Sequence, residues 1–202
     1  MRPAPGSSTQ GSDLVRPLWR AMRPASLTIL RAMSLDVRLA APEDAHAIAT
    51  VHVASWQVGY AEIFDPEFLA SLRVEERAAR YTLGSDDPNV PCTQVAVEDG
   101  EIVGFVTTAP CRDEDQVDAG EIQALYVHPA RWHRGIGQRL LACGTDHLRA
   151  QGFTTGVLWV LVDNEAATAL YLAMGWRPDG AVRVEDPWGV TATVRRLVLD
   201  LA

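Results

Sequence analysis

The segment IQALYVHPARWHRGIGQRL (residues 122–140) passes from strand-formers through a proline into helical spacing, with two glycines one residue apart at the junction. Glycines at a strand-to-helix junction let the backbone come close to something else, because they lack a Cβ and tolerate left-handed dihedrals. Here the N–H groups around Arg134 to Gln138 face outward, and the helix N-terminus adds partial positive charge. The junction therefore reads as an anion site, with phosphate or pyrophosphate as the expected guest. Two nucleotide motifs fail on spacing. A dinucleotide fingerprint needs a third glycine where Leu140 stands, and a P-loop needs Gly-Lys-Ser/Thr, which never occurs.

Working outward, LDVRLA predicts a short first strand from Ser34, stopped by Pro42. A helix is expected from Glu43, since Ala45, Ile48, Ala49, His52 and Trp56 recur at three- and four-residue spacing. One more helix is expected within 65–82, with Phe68, Leu69, Leu72 and Tyr81 as its apolar positions. TQVAVE and IVGFVTTA are two strands joined by Asp-Gly, a strong hairpin signal. After an acidic loop (112–118), GEIQALYVHP is the third strand of this group, and a helix runs from Gly137 to Ala150, stopped by Gly152. TGVLWVLV is a strand, Asn164 caps a helix carrying Ala167, Leu170, Tyr171 and Met174, and two strands near 181–185 and 191–201 complete a mixed α/β domain.

At 202 residues and 48% hydrophobic, the chain suits one globular domain with a substantial core. Residues 1–33 mix Pro, Gly, Ser and Arg and read as a poorly ordered extension, leaving 34–202 as the domain. The extension's arginine-rich, acid-poor makeup also fits a transit peptide, and Met22 and Met33 fit an upstream continuation of the reading frame. No apolar run approaches the roughly eighteen residues of a membrane span, so a cytoplasmic protein with no membrane partner is expected. Cys92, Cys111 and Cys143 have neither disulfide nor zinc spacing; free thiols and no metal follow. The extension is net +4, whereas the remainder carries 13 arginines and lysines against 25 acids, net −12. Such a body repels nucleic acid and favours a cationic amine.

Two motifs at this separation resemble the GNAT superfamily of acyl-CoA-dependent N-acetyltransferases. The first, Q/R-x-x-G-x-G/A after a strand ending V-x-P, is met by Trp132-His133-Arg134-Gly135-Ile136-Gly137; the second, N-x-x-A-x-x-x-Y-x-x-x-G, by Asn164, Ala167, Tyr171 and Gly175. The resemblance implies a mixed, mostly antiparallel central sheet flanked by helices, acetyl-CoA as co-substrate, and an amine acceptor that is a small molecule, peptide or protein. A homodimer is compatible with it. It further implies that Trp132, His133, Arg134, Gly135, Ile136, Gly137 and Gln138 cradle the pyrophosphate, and that Leu125, Tyr126 and Val127 pair their main chain with the pantetheine arm. Trp132 departs from the family's Gln or Arg, so a side-chain contact there does not carry over; Arg131, His133 or Arg134 are the candidates to meet phosphates instead.

By the same resemblance, Tyr171 protonates or hydrogen-bonds the departing thiolate, a task suited to a phenol of pKa about 10. The alternative is a tyrosine packing its helix on the sheet. Asn164 caps a helix and, in the family, contacts pantetheine. Glu121 is the candidate base, eleven residues before Trp132; six strand steps of about 3.3 Å separate it from Val127, roughly the length of a pantetheine arm. A solvated glutamate beside an acidic loop is the competing reading. His52, Trp56 and Tyr60 fall where the family forms its acceptor pocket, though their spacing also suits core packing. The expected function is direct acetyl transfer to an amine. The alternatives are a non-catalytic acetyl-CoA sensor and, disfavoured by charge, a toxin acting on aminoacyl-tRNA.

Overall fold

In the computed structural model of the chain, residues 35–85, 87–186 and 190–202 are described; the expectations for residues 1–33 and for Ser34 lie outside them. The strands are β1 (Leu35–Leu39), β2 (Cys92–Glu98), β3 (Glu101–Pro110), β4 (Ala119–Val127), β5 (Thr155–Leu161), β6 (Arg177–Glu185) and β7 (Ala192–Asp200). They form a single sheet in the order β1-β2-β3-β4-β5-β7-β6. Every neighbouring pair is antiparallel except β4 and β5, which run parallel. The helices are α1 (Ala45–Gly59), α2 (Pro66–Ser71), α3 (Val74–Ala78), α4 (Ile136–Ala150) and α5 (Glu165–Ala173). The whole is a single α/β fold with helices on both faces.

One face buries Leu140, Leu141 and Leu148 of α4 and Tyr171 of α5 against Val106, Ile122, Leu158 and Val160. Gly144 lets α4 settle low on this face, since a Cβ there would meet Val106 at 2.8 Å and Ile122 at 3.0 Å. The opposite face takes Ile48 and Val51 of α1 against Val95, Phe105 and Tyr126. A neighbouring cluster joins Val53 and Trp56 of α1 to Phe64, Leu69, Leu72, Leu161 and Val194.

The hairpin turn at Asp99 and Gly100 has positive φ at both residues, as the Asp-Gly signal predicts. The expected single helix over 65–82 is two short ones. Leu72 and Arg73 are extended, with ψ of 131° each. The break lets Leu69 and Leu72 both enter the Trp56 cluster, while α3 turns Arg77 toward His52. A one-turn 3-10 helix, Pro42–Asp44, precedes α1, and β6 begins at Arg177, four residues before the expected start; a register shift between Pro178 and Val182 interrupts its alternation.

The feature that positions a site is where β4 leaves β5. Parallel pairing covers only Ala119–Ile122 with Thr155–Leu158. Gln123 is an extra residue in the β3–β4 ladder, because Thr107 pairs with Ala124 but Thr108 with Ile122. The bulge bends β4 while β5 continues alongside β7 as far as Leu161. A wedge therefore opens between Gln123–Val127 and Trp159–Leu161. Among the described residues no helix is long and apolar enough to cross a membrane.

Candidate active site

The glycine junction lies at the mouth of this wedge. Gly135 caps α4 with φ of 77°, and His133 before it also has positive φ, at 60°. No side chain caps the helix, and its first intrahelical bond is Arg139 N–H to Gly135 O, so the preceding amides are presented outward. A Cβ on Gly135 would stand in open space, its nearest neighbour being Gln138 Oε1 at 3.9 Å. Gly137 differs: its Cβ would come into contact with Leu170 of α5 at 3.4 Å. Left-handed residues flanking a bare helix start make a concave set of donors, which suits a pyrophosphate.

The basic side chains of the loop are otherwise engaged. Arg131 Nε (2.7 Å) and Arg134 Nη1 and Nη2 (3.0 and 2.8 Å) bond to Glu98, a buried acid at the end of β2. They act first as anchors that tie the loop to the β2–β3 hairpin. Trp132 likewise anchors the loop. Its indole N–H donates to Val127 O at 2.6 Å, and its ring lies 3.5 Å from where a Gly59 Cβ would stand. His133 and Gln138 are exposed, and Ile136 is buried.

Strand alternation sorts the three residues expected along pantetheine. His128 N–H bonds to Val103 O, so its neighbour Val127 faces the wedge, Tyr126 faces β3 and Leu125 faces the wedge again. Val127 O already accepts from Trp132 and from Ser55 Oγ (2.9 Å). The unspent groups on the open edge are Val127 N–H and both main-chain groups of Leu125. Tyr126 contributes its side chain, on the α1 face.

That side chain is the centre of a hydroxyl cluster. Trp56 Nε1 donates to the Tyr126 hydroxyl at 3.0 Å, with Tyr60 close to the same oxygen and Asn164 close to Tyr60. Asn164 also accepts from Ala167 N–H at 3.0 Å, capping α5 as expected. Tyr171, only 8% exposed, lies in the core of the opposite face, near enough to the cluster for its hydroxyl and those of Tyr126 and Tyr60 to influence one another electrostatically. Its hydroxyl pKa is pushed far above the usual 10 by burial and by the nearby Tyr126. Tyr60 is raised for the same reasons, and feels Tyr171 as well. A closed sheet would screen hydroxyls on its two faces from one another; the wedge leaves less chain between them.

His52 is buried behind this cluster, stacked on Tyr126 with ring centroids 4.2 Å apart. Its Nδ1 receives Tyr81 Oη–H (2.7 Å) and Arg77 Nε–H (3.0 Å), so the ring proton sits on Nε2. Burial, then the Arg77 charge, drive its pKa well below 6.5. A depressed base costs stability in acid, because below pH 6.5 the unfolded chain takes up a proton that the fold refuses. Unfolding free energy should therefore decline by up to about 1.4 kcal/mol per pH unit from 6.5 to 5. Denaturant titrations should show a shallower decline for His52→Leu.

Glu121 is 5% exposed, on the α1 face of β4 opposite Ala109 and Val157. It lies 3.5 Å from both Arg112 Nε and Gln123 Nε2. It is buried, unlike the solvated glutamate of the competing reading, and it lies on the Tyr126 side, just before the bulge. The acidic loop after β3 folds back on the body of the protein. Asp113 and Asp115 fold onto buried Arg196 at 3.1 and 2.6 Å, Asp113 also holds Arg183 (2.7 Å), and Trp159 donates to Asp113 at 2.9 Å. Asp179 completes the set at 2.7 Å from Arg196. These charges are thus neutralised within the fold, and less of the body's net acidity is available to attract a cation than the count of charges suggests. A cleft of about 440 Å3 beside the cluster is lined by Arg73, Arg77 and Arg80 with Glu76, Asp186, Phe68 and Leu72. The sequence reading missed it, although arginines spaced four and three apart (73, 77, 80) were a visible signal.

Residues 39–176 match the sequence profile of the acetyltransferase (GNAT) family. The chain is similar to an uncharacterised N-acetyltransferase, YuaI, of Bacillus subtilis strain 168: 35% identical over 131 residues, 64% of this chain and 73% of that protein. A mycothiol acetyltransferase of Streptomyces avermitilis is 38% identical over 82 residues, 41% of this chain but only 26% of its own length. Among solved structures, the PaiA N-acetyltransferase of Thermoplasma acidophilum in complex with coenzyme A superimposes with a TM-score of 0.60 at 22% identity, covering 81% of this chain and 98% of that one. YncA of Salmonella typhimurium with acetyl-CoA gives 0.63 at 21%, covering 84% and 95%.

Proposed function

Because the chain belongs to the GNAT acetyltransferase family, whose acetyl donor is acetyl-CoA, we propose that it transfers acetyl to a primary amine by direct attack within a ternary complex. The observation that carries this reading is the wedge: an open strand edge leads from an amide cradle toward the region where a buried tyrosine of one face lies near a hydroxyl cluster of the other. When bound, acetyl-CoA supplies the activated acyl carbon as a thioester. The amides from His133 to Gln138 would hold the phosphates, with Glu98 fixing the loop through Arg131 and Arg134. Leu125 and Val127 would align the arm along β4. Glu121 would take the proton released as the amine nitrogen bonds to carbon, directly or through water. Tyr171 would give its proton to the departing sulfur and regain one from solvent. The high pKa of its hydroxyl supports this role, since it stays protonated wherever the amine can react. His52, buried and held neutral, supports Tyr126 rather than contacting an acceptor. Three unpaired cysteines support a reducing compartment as the place of action.

Initial rates, measured as coenzyme thiol release against an amine panel, test the proposal. Intersecting double-reciprocal lines are expected. Parallel lines would indicate a covalent acetyl-enzyme and overturn direct transfer.

A further inference from the structure

We propose that Arg112 guards the approach to Glu121. The acceptor amine, as a cation, enters through the cavity lined by Asn89, Pro91, Pro110, Cys111, Arg112 and Gln123 and displaces the Arg112 guanidinium from the carboxylate; this rests on the acetyltransferase reading above, with Glu121 as its base. Three acids are buried among the described residues: Asp44, Glu98 and Glu121. The first two are closely paired, Asp44 with Arg38 at 2.6 Å and Glu98 with Arg131 and Arg134 at 2.7 and 2.8 Å. Glu121 is held more loosely. Its Oε2 lies 3.5 Å from Arg112 Nε and 3.5 Å from Gln123 Nε2, and the side chain of Arg112 is 73% exposed. Taking a carboxylate out of water is costly unless a charge or good hydrogen bonds compensate it, and an exposed arginine at this distance compensates little. Such a group is suited to receive a ligand's charge.

The cavity, of about 350 Å3, adjoins this contact. Arg112 and Gln123, the two side chains that approach Glu121, belong to its wall, and Glu121 lies behind them. Its negative charge is felt inside: burial raises the pKa of the Cys111 thiol, and the charges of Asp113 and Glu121 add to the rise. The main chain on either side of Arg112 is fixed. Cys111 N–H bonds to Ala119 O at 2.8 Å, and Asp113 is held by Arg183, Trp159 and Arg196 at 2.7, 2.9 and 3.1 Å. The Arg112 side chain, exposed beyond that anchored backbone, can therefore swing without disturbing the fold. An ammonium is more compact than a guanidinium, so it can approach Oε2 more closely than the arginine does and compete with it for the buried charge.

The test uses the full chain saturated with coenzyme A and first reads the route without turnover. Glycinamide and a water-soluble carbodiimide convert a reachable carboxylate to its amide, the carbodiimide leaving as its urea, and peptide mass spectrometry gives the rate at each acid. Glu121 should react slowly in wild type and about threefold or more faster in Arg112→Gln, a margin within what an exposed ion pair supplies. The exposed Glu62 and Glu165 serve as unchanged standards. Asn89→Trp, at an exposed position of the cavity rim, should slow the reaction at Glu121 with or without Arg112. In thiol-release assays with the amine panel, Arg112→Gln should lower the amine KM by a similar factor and leave kcat and the KM for acetyl-CoA within twofold, whereas Arg112→Lys, which keeps the charge, should stay near wild type. Equal labelling of Glu121 in wild type and Arg112→Gln, labelling indifferent to Asn89→Trp, or an amine KM that is unchanged or raised would each overturn the inference. A clear fall in the melting temperature of Arg112→Gln would do so too, since it would make the contact a structural pair. Turnover unaffected by Arg112 would leave the acetyltransferase reading intact; labelling that follows Arg112 without any turnover would support the guarded route and remove that reading.

Discussion

Tyr171→Phe should lower kcat by about 10²-fold or more and leave coenzyme affinity within a factor of two, the pattern of a group that acts on the leaving sulfur rather than on binding. The ring makes the packing contacts. It lies in the main core cluster and meets Trp176 edge-on, with centroids 6.5 Å apart. Phenylalanine preserves both, so the substitution isolates the hydroxyl. A second signature concerns pH. The hydroxyl is held above its ordinary pKa, so the protonated donor persists through the alkaline range and the rate should not fall as pH rises from 8 to 10 through ionisation of this group. If Tyr171→Phe turns over at the wild-type rate, proton donation passes to another residue, and Tyr126, whose oxygen already accepts from Trp56, is the next to substitute.

Coenzyme binding should fall by about 100-fold or more in Gly135→Val/Gly137→Val, measured by titration of acetyl-CoA. A left-handed φ costs a β-branched residue roughly 1–2 kcal/mol, so valine at 135 favours a different loop path and turns the amides away. Its methyls would also occupy the open space above the cradle. Valine at 137 strains the loop from the other side, pushing on Leu170. Losing two charge-assisted amide bonds would amount to about 3 kcal/mol or more, which corresponds to the stated loss in affinity. Gly152→Val is the matched control: φ there is 87° and nothing lies within 4 Å, so it carries the backbone cost without touching the cradle. Unchanged binding in the double variant would show that the loop does not hold the phosphates.

The parts of this fold that were legible in the sequence are those governed by local chemistry. Asp99-Gly100 specified its hairpin, Asn164 its helix start, and the paired motifs, through the family they resemble, a mixed and mostly antiparallel sheet flanked by helices. The two-helix break at Leu72–Arg73 was not legible, because the residues are good helix formers and only the demand to bury Leu69 and Leu72 together breaks them. Side-chain roles set by distant partners were harder still. Arg134 is 36 positions from Glu98 and Arg196 is 81 from Asp115, so a count of charges could place neither pair. Trp132 broke the motif by residue type yet serves the loop by reaching back five residues to Val127.

The short parallel ladder has a consequence for how long the protein survives. Two halves of the sheet, β1–β4 and β5–β7, share main-chain rungs only between Ala119–Ile122 and Thr155–Leu158. A ligand lying in the wedge adds rungs to β4 that the chain itself lacks, and because it binds only the folded seam it stabilises the native state in proportion to the logarithm of its concentration. The seam is thus where local opening would start and where a protease would gain entry. Limited proteolysis should therefore cut the chain faster without coenzyme A than with it at saturation.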